Sequence, residues 1–203
     1  MIIIGITGGV GCGKSAVLRY LEANYKARIL LADDVANLLK EPGMPCYEPV
    51  IECLGTQIVK EDGAIDKLKM AQAIFSDMGK LAAVNAIIHP AVRTYVEQEI
   101  AREKEAQVYD FFFLEAALLI EEHYDEIVDE LWYVYANETV RRERLKVSRG
   151  YSDEKITSIM EKQLSEQLFR EACSYVLDNS GSFEETKKQI NEKMGVYLCK
   201  RQI

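Results

Sequence analysis

Apolar residues in this chain gather in short continuous runs. Longer segments between the runs repeat an apolar residue every three or four positions. The first run, residues 2–7, is typical of a strand buried on both faces. The other runs are similar in type and are bounded by polar or turn-forming residues. The pattern predicts strands over residues 2–7, 28–32, 108–114, 130–136 and 175–177.

The segments between these strands have helical spacing. One helix is predicted to start near Lys14. A second is predicted to start at Asp33 and to stop at the Glu-Pro-Gly turn of residues 41–43. Residues 45–101 are predicted to be mostly helical, without a strand.

Two further helical segments are predicted nearer the carboxyl terminus. Residues 138–172 are polar, with one apolar stripe that would face the core. The stripe comprises Ile156, Ile159, Met160, Leu164 and Leu168. Ser182 and Glu185 have the spacing of a capping box, which predicts the start of a last helix. That helix is expected to bury Ile190, Met194 and Leu198.

Strands that alternate with helices favour a parallel sheet with helices on both faces. We therefore predict an α/β fold with a parallel sheet of about five strands flanked by helices. The sequence has no internal repeat or evident linker. Residues 45–101 and 138–172 are interpreted as two lobes on one core.

Composition and charge argue against some classes of binding partner. The chain has 203 residues, of which 48% are hydrophobic, and its 25 basic and 33 acidic residues give a net charge of −8. This acidic balance argues against a broad face for nucleic acid or for an anionic membrane. The apolar runs are far shorter than the ~20 residues of a membrane span. We expect a monomer, or at most weak self-association.

The five cysteines form no Cys-x-x-Cys pair, and neither histidine lies near a cysteine, so a zinc site is not expected. Residues 1–4 are apolar but lack a basic leader and run directly into a glycine-rich loop. We interpret them as a strand rather than an export signal. Reduced thiols and a cytoplasmic location are expected.

The strongest chemical signal is the glycine-rich loop of residues 8–15, Gly-Gly-Val-Gly-Cys-Gly-Lys-Ser. It fits the Gly-x-x-x-x-Gly-Lys-Ser spacing of a phosphate-binding loop (P-loop, Walker A). Glycines let the chain curl so that backbone N–H groups surround a polyphosphate, and the following helix adds its positive end. Lys14 is expected to reach the β- and γ-phosphates of ATP, and Ser15 to bind Mg²⁺.

Such a loop is shared by kinases, GTP switches and motor ATPases. GTP switches usually carry Asn-Lys-x-Asp, which this sequence lacks. Motor ATPases pair the loop with an apolar strand that ends in Asp. Residues 111–115, Phe-Phe-Phe-Leu-Glu, would place Glu115 near the metal, but the chain is short for a motor. A small-molecule kinase is therefore favoured.

A kinase needs a carboxylate beside the loop and arginines over the transferred phosphoryl group. Asp33 and Asp34 follow the second predicted strand, at the carboxyl end of the sheet, where ligands bind in such folds. For Asp33, capping of the next helix is the alternative. Four arginines in the 138–172 segment suggest a lid hinged at Gly150, and a solvated helix face is the alternative for each. They are Arg141, Arg142, Arg144 and Arg149.

Several short motifs stand in a specific order along the chain. They are Thr-Gly-Gly-Val-Gly-Cys-Gly-Lys-Ser at 7–15, Ala-Asp at 32–33, Glu-Pro-Gly-Met-Pro at 41–45, Ile-His-Pro-Ala-Val-Arg at 88–93, Leu-Leu-Ile-Glu at 118–121, Arg-Leu at 144–145 and Asp-Asn-Ser-Gly at 178–181. Together they resemble the dephospho-CoA kinase family, which phosphorylates the ribose 3′-hydroxyl of dephospho-CoA in the last step of coenzyme A synthesis. The resemblance extends from residue 4 to about residue 181.

The resemblance implies a single P-loop kinase domain over residues 1–203. Its core would comprise about 1–44, 102–137 and 173–203, with a helical acceptor lobe at about 45–101 and a lid at about 138–172. The substrates implied are ATP, acting with Mg²⁺, and dephospho-CoA.

The resemblance also implies roles for single residues. Asp33 would accept the hydroxyl proton, while Lys14 and Arg144 would stabilise charge on the moving phosphoryl group. The ATP phosphates would be held by Gly11, Cys12, Gly13, Lys14, Ser15 and Ala16. Dephospho-CoA would be contacted by Asp33, His89, Arg93 and Glu115. For His89, a structural role in a helix is the alternative.

The chain departs from the family pattern mainly near the predicted acceptor and lid residues. Leu31 stands where the first Asp of Asp-Ala-Asp is expected, and Glu-Ala-Ala at 115–117 replaces Asp-x-Pro. Ser148 and Arg149 occupy the place of an Arg-Asp pair. Phe169 and the Cys-Ser of 173–174 replace a Lys and an Ala-Asp. These departures leave two alternatives open: a kinase with another acceptor, or a non-catalytic nucleotide-binding regulator.

Overall fold

A computed structural model of the chain describes residues 1–75 and 77–200. Within them, the strands are β1 (Ile2–Thr7), β2 (Ala27–Leu31), β3 (Phe111–Glu115), β4 (Glu130–Tyr135) and β5 (Tyr175–Asp178). The helices are α1 (Lys14–Asn24), α2 (Ala32–Leu38), α3 (Tyr47–Leu54), α4 (Lys67–Phe75), α5 (Met78–Ala106), α6 (Glu138–Arg149), α7 (Asp153–Met160), α8 (Glu166–Ala172) and α9 (Phe183–Lys200). Each strand predicted from an apolar run is present.

The strands form one five-stranded parallel sheet in the order β2-β3-β1-β4-β5. β1 lies at its centre, with Ile4 opposite Phe113 of β3 and Glu130 of β4. Apolar residues fill both faces of the central strands, as parallel sheets require. The predicted α/β fold with a parallel sheet of about five strands is confirmed.

Backbone contacts divide the chain into two compact units, Met1–Ile29 with Gln107–Ile203, and Leu30–Ala106. The core of the first unit contains the aromatic residues of β3 and β4, including Phe112 and Trp132, which are fully buried. In the second unit, α2, α3 and α4 each pack against the long helix α5. None of the helices in the described part of the chain combines the length and apolar character needed to cross a bilayer.

The start of β3 differs from the prediction by three residues. The apolar run begins at Val108, but this side chain is 49% exposed and the strand starts at Phe111. Gln107 has a positive φ of 52°, which ends α5 and redirects the chain. The N–H groups of Asp110 and Phe111 then both donate to the Lys26 carbonyl at the edge of β2. Strand pairing, rather than hydrophobicity, sets this boundary.

The 138–172 segment forms three helices, so the predicted continuous stripe is wrong beyond α7. Ser152 and Ser165 are N-caps whose hydroxyls accept hydrogen bonds from the Lys155 and Leu168 N–H groups, which restarts the helix twice. The second restart leaves Leu168 48% exposed. Phe169 is buried in its place and stacks on Tyr133 with ring centroids 4.7 Å apart.

The predicted capping box at the start of α9 is confirmed. The Glu185 N–H donates to Ser182 Oγ, and the Ser182 N–H donates to a Glu185 carboxylate oxygen at 2.8 Å. Ile190 and Met194 are fully buried as predicted, but Leu198 is 40% exposed. Tyr197 is the next buried residue, because a step of three keeps it on the face of Ile190 and Met194.

Tyr197 links α9 to the sheet through a polar network. Its hydroxyl donates to Glu130 Oε2 at 2.6 Å and accepts from Trp132 Nε1 at 3.2 Å. Lys193 Nζ lies 2.9 Å from the same carboxylate oxygen. Burial acts to raise the pKa of the Glu130 carboxyl, but the hydrogen bonds from Tyr197 and Lys193 lower that pKa below its ordinary 4.5.

We expect Tyr197→Phe to destabilise the fold in a pH-dependent way. The change removes a hydrogen bond to a carboxylate and leaves the buried Trp132 N–H without this acceptor, which should cost about 1.5–3 kcal/mol near neutral pH. Because the folded-state pKa of Glu130 is lowered, its stabilising contribution is present above about pH 4.5 and is lost as the pH falls through the folded value. The difference in unfolding free energy between the two chains, measured by urea denaturation, should therefore shrink towards acid pH.

Tyr175→Phe is the matched control. The Tyr175 hydroxyl donates to the Gln189 backbone carbonyl at 3.2 Å instead of to a carboxylate. Its effect on stability should not change over the same acidic range. A Tyr197→Phe penalty that is equally large on both sides of that range would contradict the proposed link to Glu130.

Candidate active site

The glycine-rich loop connects β1 to α1 at the carboxyl end of the central strand. Gly13 occupies the N-cap position of α1 with φ 97°, in the left-handed region that favours glycine. A Cβ on Gly13 would also collide with Asn179 Nδ2. Both backbone shape and neighbouring atoms therefore require glycine directly before Lys14.

Lys14 folds back along the loop. Its Nζ donates to the Gly8 carbonyl at 2.8 Å and lies 3.5 Å from Glu115 Oε1 at the end of β3. Both charged side chains are largely buried, at 17% and 16% exposure. The next residue, Ser15, is exposed in the first turn of α1. A cation and a hydroxyl thus stand together at a helix N-terminus, which favours anions.

Cys12 is the one buried thiol within the loop and is 1% exposed. Burial raises the pKa of this thiol, although nearby Lys14 acts in the opposite direction. The thiol is therefore kept in its neutral form, and Cys12 contributes to the loop through its backbone groups and packing.

The second half of the loop is held by Arg144 and Asn179. Arg144 donates from Nη1 to the Cys12 carbonyl at 3.2 Å and from Nη2 to the Asn179 carbonyl at 2.9 Å. Asn179 Nδ2 donates to the same Cys12 carbonyl at 2.7 Å, and its Oδ1 accepts from the Thr186 hydroxyl at 2.9 Å. Asn179 and Thr186 are buried, so the Cys12 carbonyl is held in place by a network that is partly inside the protein core.

The first half of the loop is held by Arg141 and Gln163. Arg141 Nε donates to the Val10 carbonyl at 2.9 Å, and its Nη2 donates to Gln163 Oε1 at 2.7 Å. The Val10 N–H donates to the same Gln163 oxygen at 3.2 Å. Residues of the predicted lid segment therefore hold the loop at two separate points.

Two of the four arginines in the 138–172 segment contact the loop, and the other two make contacts elsewhere. Arg141 and Arg144 are three residues apart on α6 and both contact the loop. Arg142 instead bonds Glu138 and Thr157 and lies near Asp153. Arg149 is exposed, with its guanidinium 5.8 Å from the Tyr151 ring. The solvated-face alternative fits Arg149, whereas Arg142 is 25% exposed and joins α6 to α7 through Thr157.

Asp33 and Asp34 lie within the second compact unit, in the first turn of α2. The helix begins at Ala32 after an extended N-cap residue, Leu31, so neither aspartate occupies the capping position. Both carboxylates are exposed, and both benefit from the positive end of the helix. Capping therefore does not account for Asp33.

His89 and Arg93 lie on α5, also in the second unit. Both side chains are half-buried, and Pro90 lies within the helix between them. Arg93 Nε is 3.1 Å from Glu97 Oε1 one turn later. The two predicted acceptor residues of this helix, His89 and Arg93, therefore both belong to the second unit.

Three residues that hold the loop were not predicted from the sequence. Asn179 belongs to a motif that the resemblance includes, but no role followed from it. Thr186 and Gln163 lie in polar stretches without a distinguishing pattern. Asn179 and Gln163 contact loop residues that lie 167 and 153 positions away in the chain, and no local spacing encodes such pairings. Thr186 acts on the loop only through its hydrogen bond to Asn179.

The oxygen donors beside the loop suit a hard cation. Mg²⁺ in phosphoryl-transfer sites is held by one or two protein oxygens together with substrate phosphates and water. The Ser15 hydroxyl and the Glu115 carboxylate offer such oxygens. Within residues 1–75 and 77–200, no group of three or more His, Cys, Asp or Glu residues could hold a metal without help from a substrate.

Comparison with known proteins agrees with this geometry. A family model described as dephospho-CoA kinase matches residues 2–185. A dephospho-CoA kinase of Carboxydothermus hydrogenoformans is 36% identical over 188 residues, covering 93% of this chain and 90% of the relative.

Two solved structures share the fold. The dephospho-CoA kinase of Campylobacter jejuni has a TM-score of 0.70 at 17% identity, covering 94% of this chain and 96% of its own. A shikimate kinase of Acinetobacter baumannii, solved with shikimate, has a TM-score of 0.53 at 11% identity, covering 96% and 94%. The fold is thus that of P-loop kinases, and the chain belongs to the dephospho-CoA kinase family of ATP-dependent kinases.

Proposed function

We propose that this protein transfers the γ-phosphoryl group of MgATP to the ribose 3′-hydroxyl of dephospho-CoA. The observation that carries the proposal is the phosphate loop, which holds Lys14 and Arg144 against its backbone within a chain of this family. The transition state of phosphoryl transfer spreads negative charge over the oxygens of the moving group. Catalysis therefore depends on positioning and on fixed positive charge.

Lys14 and Arg144 supply that charge. Lys14 has three donors, so it can keep its bond to the Gly8 carbonyl and still donate to a phosphate. Arg144 binds two backbone carbonyls through a fixed fork, which orients its remaining N–H groups. We propose that the phosphates lie against the backbone of Gly11, Cys12, Gly13, Lys14, Ser15 and Ala16.

Asp33 is proposed as the group that accepts the hydroxyl proton. It is exposed, lies two residues after the end of β2, and is not the N-cap residue of α2. The ends of parallel strands are where α/β folds bind ligands. We assign acceptor contacts to Asp33, His89, Arg93 and Glu115, and the acceptor lobe and lid to about 45–101 and 138–172.

Mg²⁺ would be held by the Ser15 hydroxyl together with ATP phosphates, and it would neutralise charge between the β- and γ-phosphates. Glu115 already faces Lys14 at 3.5 Å, which places a carboxylate at the same end of the loop. Reduced, free cysteines support a cytoplasmic location, and the net charge of −8 supports the absence of nucleic-acid binding. We further propose that the protein acts as a monomer.

The direct test is an assay of dephospho-CoA phosphorylation with MgATP, with the position of the new phosphate determined by NMR. We expect ADP and a 3′-phosphorylated product in equal amounts. A chain that consumes ATP only with another alcohol would have a different acceptor. A chain that binds ATP but produces no ADP with any acceptor would be a regulator.

Asp33→Asn should retain ATP binding and lower kcat by roughly 10²- to 10⁴-fold, the range for loss of a general base. Asp34→Asn is the matched control, because Asp34 is the next residue of the same helix turn and is equally exposed. The control should keep a near-normal kcat. Equal losses in the two variants would reject the specific role of Asp33.

Ser15→Ala should weaken the dependence of nucleotide binding on Mg²⁺, because it removes the proposed protein ligand. Calorimetric titration of ADP at increasing Mg²⁺ should show a requirement for metal raised about tenfold or more, as for other losses around metal sites. Ser15→Thr keeps a hydroxyl and should behave like the parent chain. A Ser15→Ala variant with an unchanged Mg²⁺ requirement would place the metal elsewhere.

A further inference from the structure

Arg141 and Gln163 form a bracket around one residue of the phosphate loop, Val10. The bracket comprises three hydrogen bonds: Arg141 Nε to the Val10 carbonyl, the Val10 N–H to Gln163 Oε1, and Arg141 Nη2 to that same oxygen. Both backbone groups of Val10 are thereby occupied by side chains of the 138–172 segment. We propose that Arg141 and Gln163 are positioning residues that hold the first half of the loop in its nucleotide-binding shape.

The bracket depends on Gly9 as much as on Val10. A Cβ at Gly9 would lie 2.6 Å from Arg141 Cζ, closer than real side chains approach. The Arg141 guanidinium thus lies directly against the loop backbone, and Gly9 is buried beneath it. Glycine at this position leaves space for the Arg141 side chain. This role differs from that of a glycine that lets the backbone curl around a phosphate.

The chemistry of the bracket requires these residue types. Arginine presents several N–H donors in a planar fork, so one side chain can reach both a backbone carbonyl and a carboxamide oxygen. The Gln163 oxygen accepts two hydrogen bonds, which its two lone pairs permit. Because the carboxamide is neutral, it holds the cation and the loop without adding negative charge beside the phosphates.

The consequence for binding follows from preorganisation. Four of the eight loop residues before Ala16 are glycines, and because glycine lacks a Cβ, the free backbone of the loop has many accessible shapes. Side-chain contacts that select one shape reduce the entropy lost when a nucleotide binds. Arg144 and Asn179 do this for the Cys12 peptide, and the bracket does it for Val10.

This inference rests on the proposed function for the identity of the nucleotide, but it can be tested without an acceptor. We would measure MgADP affinity by calorimetry, which needs no dephospho-CoA. Arg141→Ala and Gln163→Ala should each weaken MgADP binding about tenfold, the effect expected for losing a charge-assisted hydrogen bond. The double variant should be little weaker than either single variant, because each change already breaks the bracket. In turnover assays, KM for ATP should rise while KM for dephospho-CoA stays within about twofold.

Two matched controls come from the same segment. Arg142 follows Arg141, is equally half-buried, and pairs with Glu138 and Thr157 instead of the loop. Gln167 is exposed and pairs with Glu171. Arg142→Ala and Gln167→Ala should leave MgADP affinity within about twofold of the parent.

Arg141→Lys separates geometry from charge, because it keeps the cation but loses the fork. Its affinity should remain closer to that of Arg141→Ala than to that of the parent. Full recovery of MgADP affinity by lysine, additive losses in the double variant, or an equal loss in Arg142→Ala would each overturn the proposal.

Should Arg141→Ala not fold, Gln163→Ala decides the question, since it removes only the neutral partner. A chain that fails to phosphorylate dephospho-CoA, yet shows these affinities, would refute the proposed acceptor and not the bracket.

Discussion

The site depends on one constraint of the peptide group: a loop that turns its N–H groups towards an anion must turn carbonyl oxygens the other way. Those oxygens need donors when they are covered by protein. Here the carbonyls of Gly8, Val10 and Cys12, every second residue of the loop, accept hydrogen bonds from side chains. The donors come from α1, from α6 and from the segment after β5. The parallel sheet matters because it brings these distant segments to the end of β1.

Much of this framework could be predicted from local sequence. Residues 2–7 have an unbroken apolar run, and the strand has the predicted bounds. The Ser182–Glu185 box works because both partners lie within one turn. Predictions failed where the deciding contact was distant or where a local signal was overlooked. The start of β3 is set by the Lys26 carbonyl, more than 80 residues away, and the Ser152 and Ser165 caps divide what periodicity alone suggests is one helix.

The same contrast between local signals and distant contacts applies to the candidate site. The spacing of the loop predicts phosphate and metal contacts for Lys14 and Ser15, because the chemistry of phosphate binding restricts a short stretch of chain. The arginines were a harder case, because Arg141 and Arg142 are adjacent and identical in type. A step of one residue turns a helix by about 100°, so one guanidinium meets the loop while the other meets its own helix and α7. The residue pattern alone left four arginines and the family resemblance singled out Arg144, but only the packing of α6 shows that Arg141 contacts the loop as well.

The arrangement also explains how an acidic protein can hold a polyphosphate. The chain carries a net charge of −8, which would repel ATP at long range. Three cationic side chains, Lys14, Arg141 and Arg144, bond the loop backbone, while Glu115 is the carboxylate that lies near Lys14. Charges at a few ångströms act strongly, whereas those beyond about 10 Å are screened by salt. The cations that bond the loop therefore act on a nearby phosphate more strongly than the distant acidic residues that make up the net charge.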